Sequence, residues 1–335
     1  MLQKTIGLAM AFSLAGASTA AADYPTRDIT AVVVWAAGGG TDVATRIVGA
    51  EMEKHLPVRI NVTNRTGGVA GSVGLSYAYG QPADGYTLMG FADANVTAAV
   101  QGGWEERFDV WHPWVIGGAP SILSVAADAP WQSLEELIEA AEAEPGQLRA
   151  TASAAGSIHH LNLLTLEEAA GISFNFIPYP GSAPAQNATI AGEVSVVVTS
   201  LAEQQQLLEA ERLRPLALMT DDAQEIAGFG LVPSAYEVVD GLEEGALLAQ
   251  MLGIAVRADV PDEVIEVLDA AFVAALESEP VQQWAELNAY TLSGLSGKAA
   301  QDELRRREQI YSWQLYDLDI VTISPDTLGI ERPGS

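Results

Sequence analysis

Continuous apolar runs typical of buried strands alternate along the chain with segments whose apolar residues recur at helical spacing. The first, Ile29–Val34, is a continuous β-branched run that stops before three glycines, and residues 43–52 then place apolar side chains at helical spacing. Further strands are predicted at Val58–Val62, Tyr86–Phe91, Leu123–Ala126, Gly192–Val198 and Leu216–Met219. Strands that alternate with amphipathic helices predict an α/β fold with largely parallel sheets.

Two later helices have recognisable start signals. Ser133, with Glu136 three residues on, has the capping-box pattern at the start of a helix over residues 134–143. Another helix is predicted after Pro261. Beyond about residue 316 the helical periodicity is lost, which indicates a surface tail packed against one of the folded units.

The N-terminal segment has the pattern of a secretory signal. Lys4 is followed by the apolar run Ile6–Leu14 and then by Ala20-Ala21-Ala22, a small-residue cleavage pattern before Asp23. This run is too short to span a bilayer, and no later stretch is long and apolar enough. We therefore expect residues 1–22 to be removed and the protein to be exported.

Composition excludes several classes of function. The chain has 335 residues, which suggests about two domains, and 44 acids against 16 bases give a formal net charge of −28. So negative a surface repels nucleic acids and anionic lipids. There is no cysteine, and four scattered histidines do not form a recognisable metal site, so neither a metal nor a cofactor is expected. The scarcity of lysine fits a protein that works in high salt.

Four clusters of glycines and small residues are the strongest candidates for a binding site. They span Trp35–Asp42, Asn64–Gly71, Ser153–Leu161 and Pro178–Ala185. Glycine lets a ligand approach the main chain, and free N–H groups at a helix start attract anions. The first cluster lacks the Gly-Lys-Ser/Thr of a phosphate-binding loop and the spacing of a dinucleotide-binding motif.

The order of these motifs resembles that of the periplasmic solute-binding proteins of tripartite tricarboxylate transporters, also called the Bug family. The matching segments cover about residues 23–290 and are Tyr24-Pro25, Trp35–Asp42, Asn64–Gly71, Pro82–Leu88, Gly156–Leu161, Tyr179–Ala185 and Arg214–Ala217. The chain has Pro180 where many relatives have a lysine.

The resemblance implies a two-lobe periplasmic binding protein of the Venus-flytrap kind, type II-like, with a mostly parallel sheet flanked by helices in each lobe. We expect lobe 1 to comprise residues 23–122 and 224–335, lobe 2 to comprise residues 123–223, and the hinge to lie near residues 122 and 224. Such a protein captures a small organic anion, a mono-, di- or tricarboxylate, in the cleft and delivers it to membrane permease subunits.

The resemblance also implies which residues bind the ligand. The first glycine loop contributes main-chain N–H groups, the loop after the Tyr86–Phe91 strand contributes an acid, and the opposite lobe contributes a helix start and the loop that follows it. These ligand-binding residues are Trp35, Ala37, Gly38, Gly39, Asp42, Asp93, Ser157, His160, Tyr179 and Gly181. For Asp42 and His160, capping of the loop's own helix and packing in the core are the competing interpretations.

Two other functions fit the sequence. A sensory binding protein of the same fold would report ligand occupancy to a membrane receptor. An exported hydrolase is the alternative from another class, although the sequence lacks a Gly-x-Ser-x-Gly elbow and names no catalytic residue. For a binding protein of this charge, the ligand anion must be held by short-range donors because the overall field repels it.

Overall fold

The computed structural model describes residues 24–242 and 248–333. The expected secretory signal, residues 1–22, lies outside these residues. Within them, no helix is both long enough and apolar enough to cross a membrane.

Strands and helices alternate through most of the described chain. The strands are β1 (Ile29–Val33), β2 (Ile60–Asn64), β3 (Thr87–Ala92), β4 (Trp111–Gly118), β5 (Ser121–Ala126), β6 (Arg149–Ala152), β7 (Asn175–Phe176), β8 (Val196–Ser200), β9 (Leu213–Met219), β10 (Gln224–Ile226), β11 (Gly230–Val232), β12 (Leu252–Arg257) and β13 (Thr291–Leu295). The helices are α1 (Gly40–Met52), α2 (Ser72–Tyr79), α3 (Leu134–Ala143), α4 (Ile158–Ala170), α5 (Ser182–Ile190), α6 (Leu201–Glu209), α7 (Ala235–Val238), α8 (Asp262–Leu276), α9 (Glu279–Leu287) and α10 (Gly297–Asp317).

The strands form two larger sheets and one small hairpin. The first sheet has the order β13-β4-β12-β3-β1-β2, the second has the order β7-β6-β8-β5-β9, and β10 pairs with β11. The chain passes from the first sheet to the second directly from β4 to β5 through residues 119–120, and it returns between β9 and β12. The predicted α/β class is therefore confirmed.

The expectation of mostly parallel sheets is wrong, because three of the five described strand pairings in the first sheet and two of the four in the second are antiparallel, β13 with β4 among them. β1 pairs in parallel with β2 and β3, and β6 with β7 and β8. By contrast, β12 is antiparallel to β3 and β4, and β5 is antiparallel to β8 and β9. A strand–helix–strand crossover gives parallel neighbours, whereas strands at which the chain enters or leaves a sheet directly can run in the opposite direction.

Each large sheet is covered on both faces, because alternate residues of a strand point to opposite sides. On the first sheet, Val32 packs in a cluster with α2 and α10, and its neighbour Ala31 packs in another with α1 and α8. On the second sheet, Leu123 packs with α3 and α4, and Ile122 packs with α5 and α6. The continuous apolar runs of the sequence are strands buried from both sides.

Local signals place several elements correctly. The helix after Pro261 is α8, and α3 begins after Ser133, whose hydroxyl accepts a hydrogen bond from the Glu136 N–H. The Glu136 carboxylate reaches back to the N–H of Gln132 rather than of Ser133. Between the end of α10 and residue 333 the chain is irregular apart from the short turn Pro325–Leu328, and its Val321 and Ile330 are buried. Through Val321 the tail thus packs against the apolar cluster on the first sheet that contains Val32, as predicted.

Candidate functional site

A cavity lies where the first turn of a helix that packs on the first sheet meets the first turns of helices that pack on the second sheet. Its lining includes the first residues of α1, α4 and α5 and the third residue of α6. The cavity has a volume of about 30 Å³ in this conformation, within about 390 Å³ of space between the lining residues that includes open solvent. The first N–H groups of a helix have no partner within it and carry partial positive charge. At the starts of α4 and α5 these groups make a site for an anion or for the anionic end of a ligand, whereas the N–H groups of Gly40 in α1 and of Glu203 in α6 already donate to Glu203 Oε1 and to Ser200 Oγ.

The loop between β1 and α1 forms the wall on the side of the first sheet. Gly38 has a φ of +82°, which a side chain would strain. The Trp35 indole lines the cavity and donates a 3.3 Å hydrogen bond to Oδ1 of Asn95. Asn95 also accepts from the N–H of Ala92 and donates to the carbonyl of Ala70, so it fixes this loop to the end of β3.

Asp42 holds the same loop together from inside. Its carboxylate accepts hydrogen bonds from the Gly38 N–H at 3.0 Å, from Arg46 Nε at 3.0 Å and from Asn64 Nδ2 at 2.8 Å. Burial alone would raise the pKa of Asp42, but these hydrogen bonds outweigh it and the pKa is lowered. Asp42 does not line the cavity. Its contacts are those of a residue that shapes the loop.

The start of α4 contributes Ser157 and His159 to the cavity. The Ser157 hydroxyl accepts a hydrogen bond from the His160 N–H at 3.2 Å and so caps the helix. The His160 ring points elsewhere: it stacks on Phe176 at a centroid distance of 3.8 Å and accepts from the Gly156 N–H. Burial lowers the pKa of His160 to about 4. The packing interpretation of His160 therefore matches its surroundings.

His159 is the buried histidine that faces the cavity. Its Nδ1 lies 2.7 Å from the Ser121 hydroxyl, and its Nε2 lies 3.2 Å from Nε2 of Gln250. Oε2 of Glu203 is 3.8 Å from the same Nε2. Burial lowers the pKa of His159 to about 4, although the nearby carboxylate opposes this shift. The ring is neutral near pH 7.

The loop before α5 touches the first glycine loop across the cavity. The Ala36 N–H donates a 3.3 Å hydrogen bond to the carbonyl of Pro180. A Cβ built on Gly181 would lie 3.3 Å from the Cβ of Ala36, and Gly181 has a φ of +138°. Glycine at position 181 lets the two loops approach this closely. Tyr179 is half-buried outside the lining, and its hydroxyl donates to Oε2 of Glu193.

Among the described residues of the cavity lining, two are carboxylates whose side chains are buried. Asp93, 1% exposed, accepts from the Met251 N–H at 2.6 Å and from Nη1 of Arg307 at 2.9 Å. Burial raises the pKa of Asp93, and the guanidinium of Arg307 opposes that rise. Glu203 accepts from the Gly40 N–H at 2.7 Å through Oε1. Through Oε2 it accepts from the N–H and the hydroxyl of Ser200.

The ten residues expected to bind ligand divide into two groups. Those that line the cavity are Trp35, Gly39, Asp93, Ser157 and Gly181. Those that lie outside its lining are Ala37, Gly38, Asp42, His160 and Tyr179. Sequence reasoning did not single out Glu203, His159 or Gln250. For Glu203 a signal was present, because Ser200 and Glu203 form a capping box directly after a β-branched run.

The charged groups that the structure describes in the cavity lining, Asp93 and Glu203, are both negative. Among the described residues of its lining, none is lysine or arginine. The described part of the chain also brings no three His, Asp or Glu side chains together in a way that could hold a metal ion. An anion here would be bound by N–H and O–H donors.

Comparison with known proteins gives consistent matches. A family model described as "Tripartite tricarboxylate transporter family receptor" matches residues 44–311. The protein BugT of Bordetella pertussis is 28% identical over 243 residues, which cover 71% of this chain and 73% of BugT.

Solved structures match over most of the chain. The R. palustris protein Rpa4515, solved with adipate, is 27% identical with a TM-score of 0.78, over 89% of this chain and 99% of that one. The periplasmic binding protein BugD is 21% identical with a TM-score of 0.81, over 89% of this chain and 99% of BugD. The second match shows the two-lobe binding-protein fold.

Proposed function

The chain belongs to the tripartite tricarboxylate transporter receptor family, and from this premise we propose that it captures a small organic carboxylate between its two sheets and delivers it to a membrane permease. The family and its structural neighbours are binding proteins. That this chain itself works in the periplasm after removal of residues 1–22, and that a permease receives its ligand, are parts of the same proposal.

The observation that carries the proposal is the meeting of helix starts at one cavity, with those of α4 and α5 available to an anion. Each charge-assisted hydrogen bond from such groups contributes about 1.5–3 kcal/mol. Three or four of them, after the cost of association, correspond to micromolar affinity, about −8 kcal/mol. The relative Rpa4515 was solved with adipate, a dicarboxylate, which supports the same class of ligand here.

Lobe closure is the conformational part of the proposal. The lobes would be residues 23–122 with 224–335 and residues 123–223, joined at two crossings between the sheets. We shift the second crossing towards residue 248, because Ile226, Val232, Ala235 and Val239 pack in the second sheet's clusters. The contacts of Ala36 with Pro180 and of Gly40 with Glu203 would form as the lobes close.

We further propose that the protein performs no catalysis. Ser121, His159 and Glu203 lie in a row that resembles a hydrolytic triad, but Ser121 is fully buried and does not line the cavity. Its hydroxyl is already engaged by Nδ2 of Asn162. A nucleophile must reach its substrate, so this row fits a structural hydrogen-bond chain better.

A thermal-shift screen of the mature protein against mono-, di- and tricarboxylates, in moderate and high salt, tests the proposal. A ligand at 100 times its Kd stabilises the native state by about 2.7 kcal/mol. We expect a clear shift with at least one structural class. Folded protein that shifts with no carboxylate and carries no co-purified ligand would overturn the proposal.

A matched pair of variants locates the site. Ser157→Ala and Ser133→Ala each remove a helix cap, at a cost of about 1 kcal/mol, but only Ser157 lines the cavity. We expect Ser157→Ala alone to weaken binding of whichever carboxylate the screen identifies. Equal affinities of both variants would place the ligand elsewhere.

A further inference from the structure

Glu203 brings a negative charge to the anion-binding cavity. Its side chain is 5% exposed, and Oε1 accepts the Gly40 N–H at the start of α1. A carboxylate has about four acceptor positions, and the N–H of Gly40 with the N–H and hydroxyl of Ser200 fill three of them. One acceptor position of Glu203 remains for a ligand.

Asp93, the other buried acid described in the cavity lining, has a counter-charge, whereas Glu203 has none among the residues that the structure describes. Asp93 is paired with Arg307 at 2.9 Å. Glu203 has the ring of His159 at 3.8 Å, and burial keeps that ring neutral near pH 7. A buried charge without a counter-ion is costly. A cationic group on the ligand would relieve this cost, whereas a second anionic group beside Glu203 would increase it.

Gln250 gives an independent indication of a ligand that donates hydrogen bonds. It is 5% exposed and lines the cavity. Its Oε1 is buried and has no hydrogen-bond partner among the described residues. Buried acceptors in native proteins are nearly always satisfied. Glu203 and Gln250 thus offer acceptors on the cavity wall that a ligand donor would fill.

The starts of α4 and α5 differ from those of α1 and α6. The first turns of α1 and α6 carry Asp42 and Glu203, whereas the described first turns of α4 and α5 carry no acid. The N–H groups of α4 and α5 are therefore the donors left for a ligand carboxylate. A cavity that offers both N–H donors and carboxylate or amide acceptors suits a ligand with both kinds of charge.

We propose that Glu203 is a specificity-determining residue that makes the cavity select carboxylates carrying an ammonium group over carboxylates of the same carbon skeleton without one. The ligand carboxylate binds at the starts of α4 and α5, and the ammonium group donates to Glu203 and to Oε1 of Gln250. This inference rests on the proposed carboxylate-binding function.

Calorimetric titration of the mature protein with matched ligand pairs tests it. The pairs are aspartate and succinate, glutamate and glutarate, and alanine and propionate. For at least one pair we expect the ammonium-bearing member to bind at least about tenfold more tightly, the effect of one charge-assisted hydrogen bond. In Glu203→Gln, which keeps the size and removes the charge, that preference falls below about threefold and the plain carboxylate binds more tightly.

Glu209→Gln is the control, because Glu209 is an exposed residue at the end of the same helix; it keeps the wild-type preference. If Glu203→Gln does not fold, Gln250→Met removes the unpaired acceptor instead and lowers the preference by at least about threefold. The inference is overturned if, in every pair of which a member binds, wild-type protein binds the carboxylate without an ammonium group at least as tightly as its partner. An unchanged preference in Glu203→Gln overturns it as well. Binding of no member of any pair, with silence in the wider carboxylate screen, would be the failure of the proposed function instead.

Discussion

The backbone N–H of Gly40 donates a 2.7 Å hydrogen bond to Oε1 of Glu203, 163 positions further along the chain. Gly40 begins α1 beside the first sheet, and Glu203 lies in the first turn of α6 beside the second. The bond therefore joins the two halves of the molecule at the wall of the cavity. A Cβ on Gly40 would lie 2.8 Å from Oε1 and 2.8 Å from the Tyr290 hydroxyl. A side chain at position 40 would therefore force the ends of Glu203 and Tyr290 to move.

We expect Gly40→Ala to weaken ligand binding by at least about tenfold, because the added methyl pushes Glu203 and Tyr290 away and separates the two halves. Gly49→Ala, in the same helix, is the control: its Cβ would make an ordinary 3.6 Å contact with Ile60. There alanine raises the free energy of unfolding by about 0.5–1 kcal/mol through helix propensity and leaves binding unchanged. Calorimetry measures the affinities and denaturant titration the stabilities. Full affinity in Gly40→Ala would contradict this account of the contact.

Elements with local signals could be predicted from the sequence. The run that forms β1 and the Ser133 cap of α3 depend on neighbouring residues, and both appear where expected. The direction of β12 could not be predicted, since it depends on the route by which the chain returns from the second sheet. Sequence periodicity gives burial, and it does not give strand direction.

The candidate site shows the same limit. His159 and His160 are adjacent in one helix, so their side chains point about 100° apart, and only the packing of Phe176 against His160 decides which ring faces the cavity. Glu203 has an evident local role as a capping residue. Its second contact, with Gly40, depends on how the two halves meet, and no local pattern encodes that.

We expect Asp93→Ala to be destabilising. The Asp93 carboxylate connects the end of β3 to the N–H of Met251, just before β12, and to Arg307 of α10. Removing it leaves the Met251 N–H without its acceptor and takes from the largely buried Arg307 one of two carboxylate partners, Glu303 being the other; together these losses cost about 1–3 kcal/mol. Urea unfolding followed by circular dichroism measures the loss.

Asp317→Ala is the matched control for Asp93→Ala, because Asp317 and its partner Arg332 are both 50% exposed. An exposed ion pair contributes no more than about 1 kcal/mol. The contact of Asp93 would be energetically unimportant if both variants lost the same small amount of stability.

The stability of the protein should fall in acid partly because of His160. Burial lowers the pKa of His160 in the native state from 6.5 to about 4. Between these two values the unfolded chain binds a proton that the native ring does not, so the free energy of unfolding decreases as the pH falls from about 6.5 to about 4 and then levels off. At 1.36 kcal/mol for each pKa unit, this single group accounts for about 3 kcal/mol.

The variant His160→Gln isolates this contribution. Glutamine can still accept the Gly156 hydrogen bond but does not titrate, so part of the acid sensitivity disappears. Other buried groups titrate in the same range: His159 acts in the same direction, and Glu167, whose pKa burial raises to about 7, acts in the opposite one. Because these effects cancel between wild type and variant, the informative quantity is the difference in unfolding free energy, measured by denaturant titration from pH 7.5 to pH 4. The unfolding free energy of the wild type minus that of the variant should decrease by about 3 kcal/mol as the pH falls. If this difference does not change with pH, the native His160 ring accepts a proton as readily as the unfolded chain does.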